Sequence, residues 1–212
     1  MTRYYPAYLD LTGRRCIVIG AGEVAERKVQ QLLASAADVT LVSPTATTEL
    51  ERLADEGRLR WIRRAYVTGD LAGATLAIAG TDDEAVNRQV HAEAALEKTL
   101  LNMVDVTPLC GFIAPSIVER GPVTVAISTG GTSPALARKL RELMGSDCHC
   151  LEWADAAGVL GDVRADLRKH GTSVPPEAWQ AAMDDSLLDL VGAGKQEEAK
   201  IRLREALLAS AE

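Results

Sequence analysis

Three short stretches of this chain carry residue types and spacings suited to chemistry. In 20-GAGEVA-25 the pattern G-x-G-x-x-A follows an apolar run and opens a helical one. Gly20 permits a tight turn, Gly22 lets a pyrophosphate approach the backbone, and Ala25 is small enough for close helix–strand contact. The helix N-terminus adds N–H donors and positive potential, so the stretch suits a dinucleotide. In 99-TLLNMVDV-106 an apolar run is broken by Asn102 and closes on a lone carboxylate, Asp105, with Pro108 and Gly111 just beyond. That acid is either an ordinary strand-end cap or a presented acid–base group. In 128-STGGTSP-134 the hydroxyls of Ser128, Thr129, Thr132 and Ser133 flank Gly130 and Gly131 ahead of a helical pattern. Such a loop makes either an anion cradle or a plain helix entry.

These groups need a scaffold that gathers strand ends at one edge. The runs 14-RRCIVIG-20, 38-DVTLVSP-44, 59-LRWIRRAY-66, 75-TLAIAGT-81 and 99-TLLNMVDV-106 read as five strands. Between them, 23-EVAERKVQQLLASA-36, 47-TTELERLADEG-57 and 83-DEAVNRQVHAEAALEK-98 have helical patterns. Strand–helix alternation with short connections predicts an α/β, Rossmann-like doubly wound parallel sheet, whose ligands bind beyond the carboxyl ends of the strands. Asp105 falls at such an end.

After residue 111 the rhythm changes. Two β-rich runs, 112-FIAPSIVE-119 and 122-PVTVAIS-128, flank a hairpin signal at Arg120-Gly121. An amphipathic helix, 134-PALARKLRELM-144, follows, with Pro134 suited to its first turn. From about 146 onward the pattern is helical and charged, broken at 171-GTSVPPE-177. The expected division is 1–111 for a nucleotide-type domain, 112–145 for a hairpin–helix segment and 146–212 for a small helical domain.

Composition narrows the function classes. A net charge of −7 argues against general nucleic-acid binding, which needs a basic face. No window approaches the roughly eighteen apolar residues of a membrane span, and the start, MTRYYPAYLDL, lacks the apolar core of a signal peptide, so the expected location is cytoplasmic. Cys16 and Cys110 lie in apolar surroundings and read as small hydrophobes. Cys148-His149-Cys150 groups three soft ligands but lacks the second pair of a structural zinc site, so no metal site is assigned. His91, His149 and His170 are not assigned catalytic roles, and no Tyr-x-x-x-Lys proton relay occurs.

The glycine turn lacks its usual companion. An acid about 20 positions on normally holds the ribose, yet the second strand ends in Ser43, Pro44 and Thr45, with Asp38 at its wrong end. The ribose then depends on hydroxyls and backbone at 43–45, together with Glu23. No nearby Arg offers a 2′-phosphate partner, which favours NAD over NADP.

Taken together, 18-VIGAGEVAERK-28, 102-NMVDV-106 and 112-FIAPSIVERGPVTVAISTGGTSPALAR-138 resemble the precorrin-2 dehydrogenase / sirohydrochlorin ferrochelatase family, over roughly residues 8–145. The resemblance implies an NAD-dependent oxidation of precorrin-2 to sirohydrochlorin, in a homodimer joined partly by the hairpin segment. In some members the same cleft inserts ferrous iron. It also implies that Asp105 is the essential acid and that cofactor contacts fall on Gly22-Glu23-Val24 and Ser43-Pro44-Thr45. Thr129 stands where some relatives have serine, a change that keeps the hydroxyl. The substrate is a polycarboxylate, so a net-acidic protein must concentrate local positive charge; Arg120 and Arg138, with Lys139 and Arg141, are the candidates, and Asn102 with the 128–133 loop (Ser128 to Ser133) are the other expected substrate contacts. A solvated helix face is the alternative for the basic residues. Two other functions fit the same residues: an NAD-sensing regulatory module, and a tetrapyrrole chelatase or carrier without dehydrogenase activity.

Overall fold

The computed structural model describes residues 4–81, 83–146 and 149–209. The chain forms two compact units, Met1–Ala114 and Pro115–Glu212. In the first, the apolar runs become five strands: β1 (Arg15–Ile19), β2 (Asp38–Val42), β3 (Arg60–Ile62), β4 (Leu76–Ala79) and β5 (Leu100–Met103). Every neighbouring pair is parallel. The sheet order is β3-β2-β1-β4-β5, so the chain reverses its direction of growth between β1 and β4. In such sheets the crevice for a ligand opens at that reversal, beyond the carboxyl ends.

Helices α1 (Glu23–Ala34), α2 (Thr48–Asp55) and α3 (Glu84–Glu97) cover the two faces. Alternate residues of β1 serve different layers. Cys16 and Val18 pack with Val29 and Leu32 of α1 and Leu50 and Leu53 of α2. Ile17 and Ile19 pack with Val90 and Ala94 of α3. A strand buried on both faces must be apolar throughout, which is why its run shows no period of two.

The third strand is shorter than the 59–66 run suggests, at three residues. Arg64 N–H bonds back to the Ile62 carbonyl, and the chain leaves the sheet there. Residues 63–75 then cross to β4 without a helix, organised by side chains from elsewhere. Glu93 of α3 is buried and accepts from Gly69 N (3.0 Å), Leu71 N (2.9 Å) and the Tyr66 hydroxyl. Arg15 donates to the Ala72 carbonyl at 2.6 Å and the Asp70 carbonyl at 3.2 Å. Asp70 receives both Arg64 nitrogens, at 2.7 and 2.8 Å, and Val67 N at 3.0 Å. Arg15 and Arg64 are therefore clasps of this crossover. Leu71 and Tyr66 complete the core beneath it.

The second unit begins with an antiparallel hairpin, β6 (Ser116–Arg120) and β7 (Val123–Ile127). Arg120 pairs with Val123, so the two-residue turn is Gly121-Pro122, one position later than the sequence signal. Gly121 has φ +54°, whereas Pro122 is confined to negative φ, which selects the type II′ turn. Helix α4 (Pro134–Ser146) follows and buries Ala137. After a 3₁₀ segment, His149–Ala156, come α5 (Ala157–Lys169), α6 (Pro176–Ala182), α7 (Asp185–Gly192) and α8 (Gln196–Ala209). Their core is aliphatic, with Val159, Val163, Leu187, Leu203 and Leu207 almost fully buried. Among the described residues, no helix is long and apolar enough to cross a membrane.

Replacing Glu93 by Ala strands two backbone donors and a hydroxyl in the interior. Chemical denaturation is expected to show a loss of roughly 3 kcal/mol, with a smaller loss for Glu93→Gln, which keeps an acceptor. Asp70 gives a pH signature. The Arg64 guanidinium and the Val67 N–H hold its carboxyl below the ordinary 3.8, against the opposing effect of burial. A depressed folded value means that its stabilisation is complete above the unfolded value and fades as pH falls through the folded one. Denaturation midpoints of the native chain should therefore drop more steeply below pH 3.8 than those of an Asp70→Asn variant. Equal slopes would remove Asp70 from the acid limb.

Candidate active site

The edge formed by the carboxyl ends of β1, β2, β4 and β5 carries the glycine turn, the 43–45 segment and Asp105. At β1 the chain turns sharply into α1. Gly20 has φ +90°, and a Cβ there would lie 2.5 Å from the Gly80 carbonyl oxygen. No other residue fits both the conformation and the contact. Gly22 is different: it is the N-cap of α1, and a Cβ on it would meet nothing within 4 Å. The space above Gly22 is open, and among the described residues no side chain caps the first turn of α1. Ala25 is buried against the sheet. This is a cradle of the kind that suits a pyrophosphate, with the backbone as donor and helix-end potential behind it. Glu23 and Val24 are exposed at its rim.

The second strand's end is tied to the same turn. Thr47, the N-cap of α2, donates its N–H to the Ala21 carbonyl at 3.2 Å and its hydroxyl to Glu26 at 2.6 Å. Ser43 is buried; its N–H donates to Ile62, and its carbonyl accepts the Trp61 indole at 2.9 Å. Pro44 and Thr45 are exposed, so Thr45 supplies the accessible hydroxyl at this end.

Asp105 stands outside the strand. β5 ends at Met103, and Val106 N–H returns to the Met103 carbonyl at 3.3 Å, closing a turn with Asp105 at its third position. Asp105 has φ +60°, the left-handed conformation that glycine or asparagine usually fills at that place. Its side chain is exposed, and among the described residues it has no hydrogen-bond or ion-pair partner. The strand-end cap, one of the two readings open from sequence, is thus not what the chain builds. Strand β4 lies between β1 and β5, so the acid sits roughly 10 Å across the edge from the glycine turn.

Two neighbours clamp this turn. Asn102 is buried, and its amide donates to the Phe112 carbonyl at 3.0 Å. The Cys110 sulfur accepts Met103 N–H at 3.2 Å and donates to the Met103 carbonyl at 3.2 Å. Gly111 N–H adds a 2.7 Å bond to the Leu101 carbonyl. The segment after Asp105 is therefore stapled back along β5. Sequence reading took Cys110 for a small hydrophobe; its position seven residues after Met103 carries no motif that announces the bond. Asn102 turns its amide inward, to the clamp. His91 of α3 meets the Leu109 carbonyl at 3.2 Å on the far side of the same loop.

In the second unit, the 128–134 loop uses most of its hydroxyls on itself. Thr129 accepts from Ser133 N at 3.0 Å and donates to the Ser133 carbonyl at 3.1 Å. Ser128 accepts from Gly130 N at 3.1 Å, and Ser133 caps α4 through Leu136 N at 3.2 Å. Gly130 and Gly131 take φ +64° and +84°, and Thr132 is exposed. Arg120 makes a paired contact with Asp155, its Nε at 3.0 Å, and Arg138 binds Glu142 at 2.9 Å. Both cations are largely offset within their own unit. Cys148 and the side chain of Cys150 lie outside the described residues; His149 contacts Glu152 at 2.6 Å. Among the described residues no cluster of three metal-ligating side chains occurs.

Comparison with known proteins agrees with this geometry. A family model described as putative NAD(P)-binding matches residues 7–116, and one described as sirohaem biosynthesis protein central matches residues 120–146. A siroheme synthase of Pseudoalteromonas atlantica is 44% identical over 144 residues, covering 68% of this chain and 31% of that protein. One of Methylococcus capsulatus is 37% identical over 214 residues, covering 98% of this chain and 44% of that protein. The chain thus spans less than half the length of these relatives. Among solved structures, SirC, precorrin-2 dehydrogenase, superposes with a TM-score of 0.77 at 27% identity, covering 95% of this chain and all of that one. With the glycine cradle and the presented acid on a common edge, the chain belongs to the NAD(P)-binding family that contains the siroheme synthases and this precorrin-2 dehydrogenase.

Proposed function

We propose that this protein oxidises precorrin-2 to sirohydrochlorin with NAD, and that Asp105 is the proton acceptor. The observation that carries the reading is an exposed, unpartnered carboxylate in a left-handed turn, on the edge that also holds an open glycine cradle. NAD, when bound, supplies the hydride acceptor. Backbone N–H groups at Gly22, Glu23 and Val24 hold its pyrophosphate, and Thr45 with neighbouring backbone reaches its ribose. The reaction removes one hydride and one proton from the reduced macrocycle. The Asp105 carboxylate takes that proton, and the Asn102–Cys110 clamp fixes the turn that carries it. The free thiols of Cys16 and Cys110 suit a reducing cytoplasm.

The pairing of two copies belongs to the same reading. Leu136, Leu140 and Leu143 form an exposed stripe along α4, and Ile117 is exposed on the hairpin. Apolar side chains at such spacing share one helix face, and a contiguous exposed patch of this kind marks an interface. The partner we infer is a second copy of the chain.

Anaerobic incubation with precorrin-2 and NAD, followed by absorbance, should show NAD-dependent sirohydrochlorin formation. Asp105→Asn is the informative variant, because asparagine accepts the left-handed conformation. It should lower kcat by about a hundredfold or more with NAD affinity unchanged and stability equal or higher. Retained turnover in that variant would remove Asp105 from the chemistry. NAD binding without any oxidation by the native protein would favour a sensor. Light scattering should give twice the chain mass for the native protein and a single chain mass for Leu140→Asp/Leu143→Asp; an unchanged mass would place the interface elsewhere.

A further inference from the structure

The helical unit contains a groove of about 900 Å³ between α5, the 171–175 turn and α6. Leu160, Val174, Trp179 and Met183 give it an apolar lining, each only partly buried. Arg164 and Arg168 line the same groove and are exposed. They are one helical turn apart on α5, so both guanidinium groups lie along one side.

These two arginines differ from the others in their unit. Arg120 pairs with Asp155, Arg138 and Arg141 with Glu142, Arg202 with Asp184 and Arg204 with Asp166. Among the described residues, neither Arg164 nor Arg168 has a carboxylate partner. The acids of their own helix are engaged elsewhere: Asp162 by Lys200 at 2.9 Å, and Asp166 by Arg204 at 3.0 Å. On a chain of net charge −7, two adjacent unpaired arginines beside an apolar, tryptophan-lined trough are a local exception. The complement is a ligand with a flat apolar body and carboxylates at its edge, which guanidinium forks bind in paired geometry and an indole face can cover.

We propose that this groove is a binding site for a polycarboxylate tetrapyrrole macrocycle, held at its edge by Arg164 and Arg168 and over its face by Trp179. The choice of macrocycle rests on the function proposed above; the site itself rests on the groove, the unpaired cations and the aromatic wall. The volume lies at the upper end of ordinary ligand pockets, as a ligand of this size requires.

The test uses the full chain and uroporphyrin, an air-stable polycarboxylate macrocycle, as the probe. Porphyrin anisotropy reports affinity, and substitutions in the groove report location. Arg164→Gln/Arg168→Gln should weaken binding by about tenfold or more, and Trp179→Ala by about fivefold or more, while the chain stays folded by circular dichroism. An affinity changed less than about fivefold in the double arginine variant, or unchanged in Trp179→Ala, overturns the proposal and leaves the groove to a protein segment. Precorrin-2 turnover measured on the same samples separates the two readings. Turnover with arginine-independent uroporphyrin binding defeats the groove alone; arginine-dependent binding without turnover defeats the dehydrogenase reading alone.

Discussion

Gly20 and Gly80 face each other where the sheet reverses, so closely that a single Cβ on Gly20 would stand 2.5 Å from a carbonyl oxygen. Much of the first unit follows from that contact. Gly20 N–H bonds to Val42 and Gly80 N–H to Ile19, while Val104 N–H bonds to Ala79. These bonds carry the parallel ladder one step past the strands and bring four chain segments to the same edge in register. The left-handed turn at Gly20 then aims α1 back across the sheet, leaving its first-turn N–H groups facing outward. A crevice with backbone donors on one side and strand-end side chains on the other is the geometric result.

The acid on that edge is held at some cost. An aspartate in the left-handed region lies off its preferred backbone conformation by about 1 kcal/mol, and an asparagine or glycine would sit there more easily. Asn102, Cys110 and Gly111 offset that cost by fixing the return segment against β5. Val106 N–H goes to the Met103 carbonyl and Met103 N–H to the Cys110 sulfur, so the turn is held by bonds that do not involve the carboxylate. The clamp therefore fixes the turn while the acid itself keeps no partner among the described residues.

What could be read from the sequence follows the range of the forces involved. Strands buried on two faces announce themselves as apolar runs, and β1, β2, β4 and β5 fall inside the runs that marked them. The glycine turn was legible because its requirement is local: a backbone conformation and a small residue at fixed offsets. Asp105 was legible as an anomaly, an acid closing an apolar run. The helix-free crossover was not, because it depends on Glu93, twenty-two residues from Leu71 in sequence. The roles of Arg15 and Arg64 were not legible for the same reason: their partners at Ala72 and Asp70 have no periodic signature. Cys110 packs against the core as its apolar surroundings suggested, but its bonds to Met103 were not legible, because a thiol that bonds backbone and a thiol that fills space leave identical traces in a sequence.

The distribution of charge matters more than its sum. At physiological salt a fixed charge is felt over only about 8 Å, so an acidic chain does not repel a polyanion uniformly; the ligand samples the nearest side chains. Arg120 and Arg138 lose most of their reach to carboxylates beside them, at 3.0 and 2.9 Å. Any one of these exposed pairs contributes little to stability, so its greater effect is on the local potential it cancels. Pairing is thus a form of selection: cations given a carboxylate serve the surface, and those denied one remain free to attract a ligand. A net-negative protein can in this way confine its attraction for a polycarboxylate to a few faces.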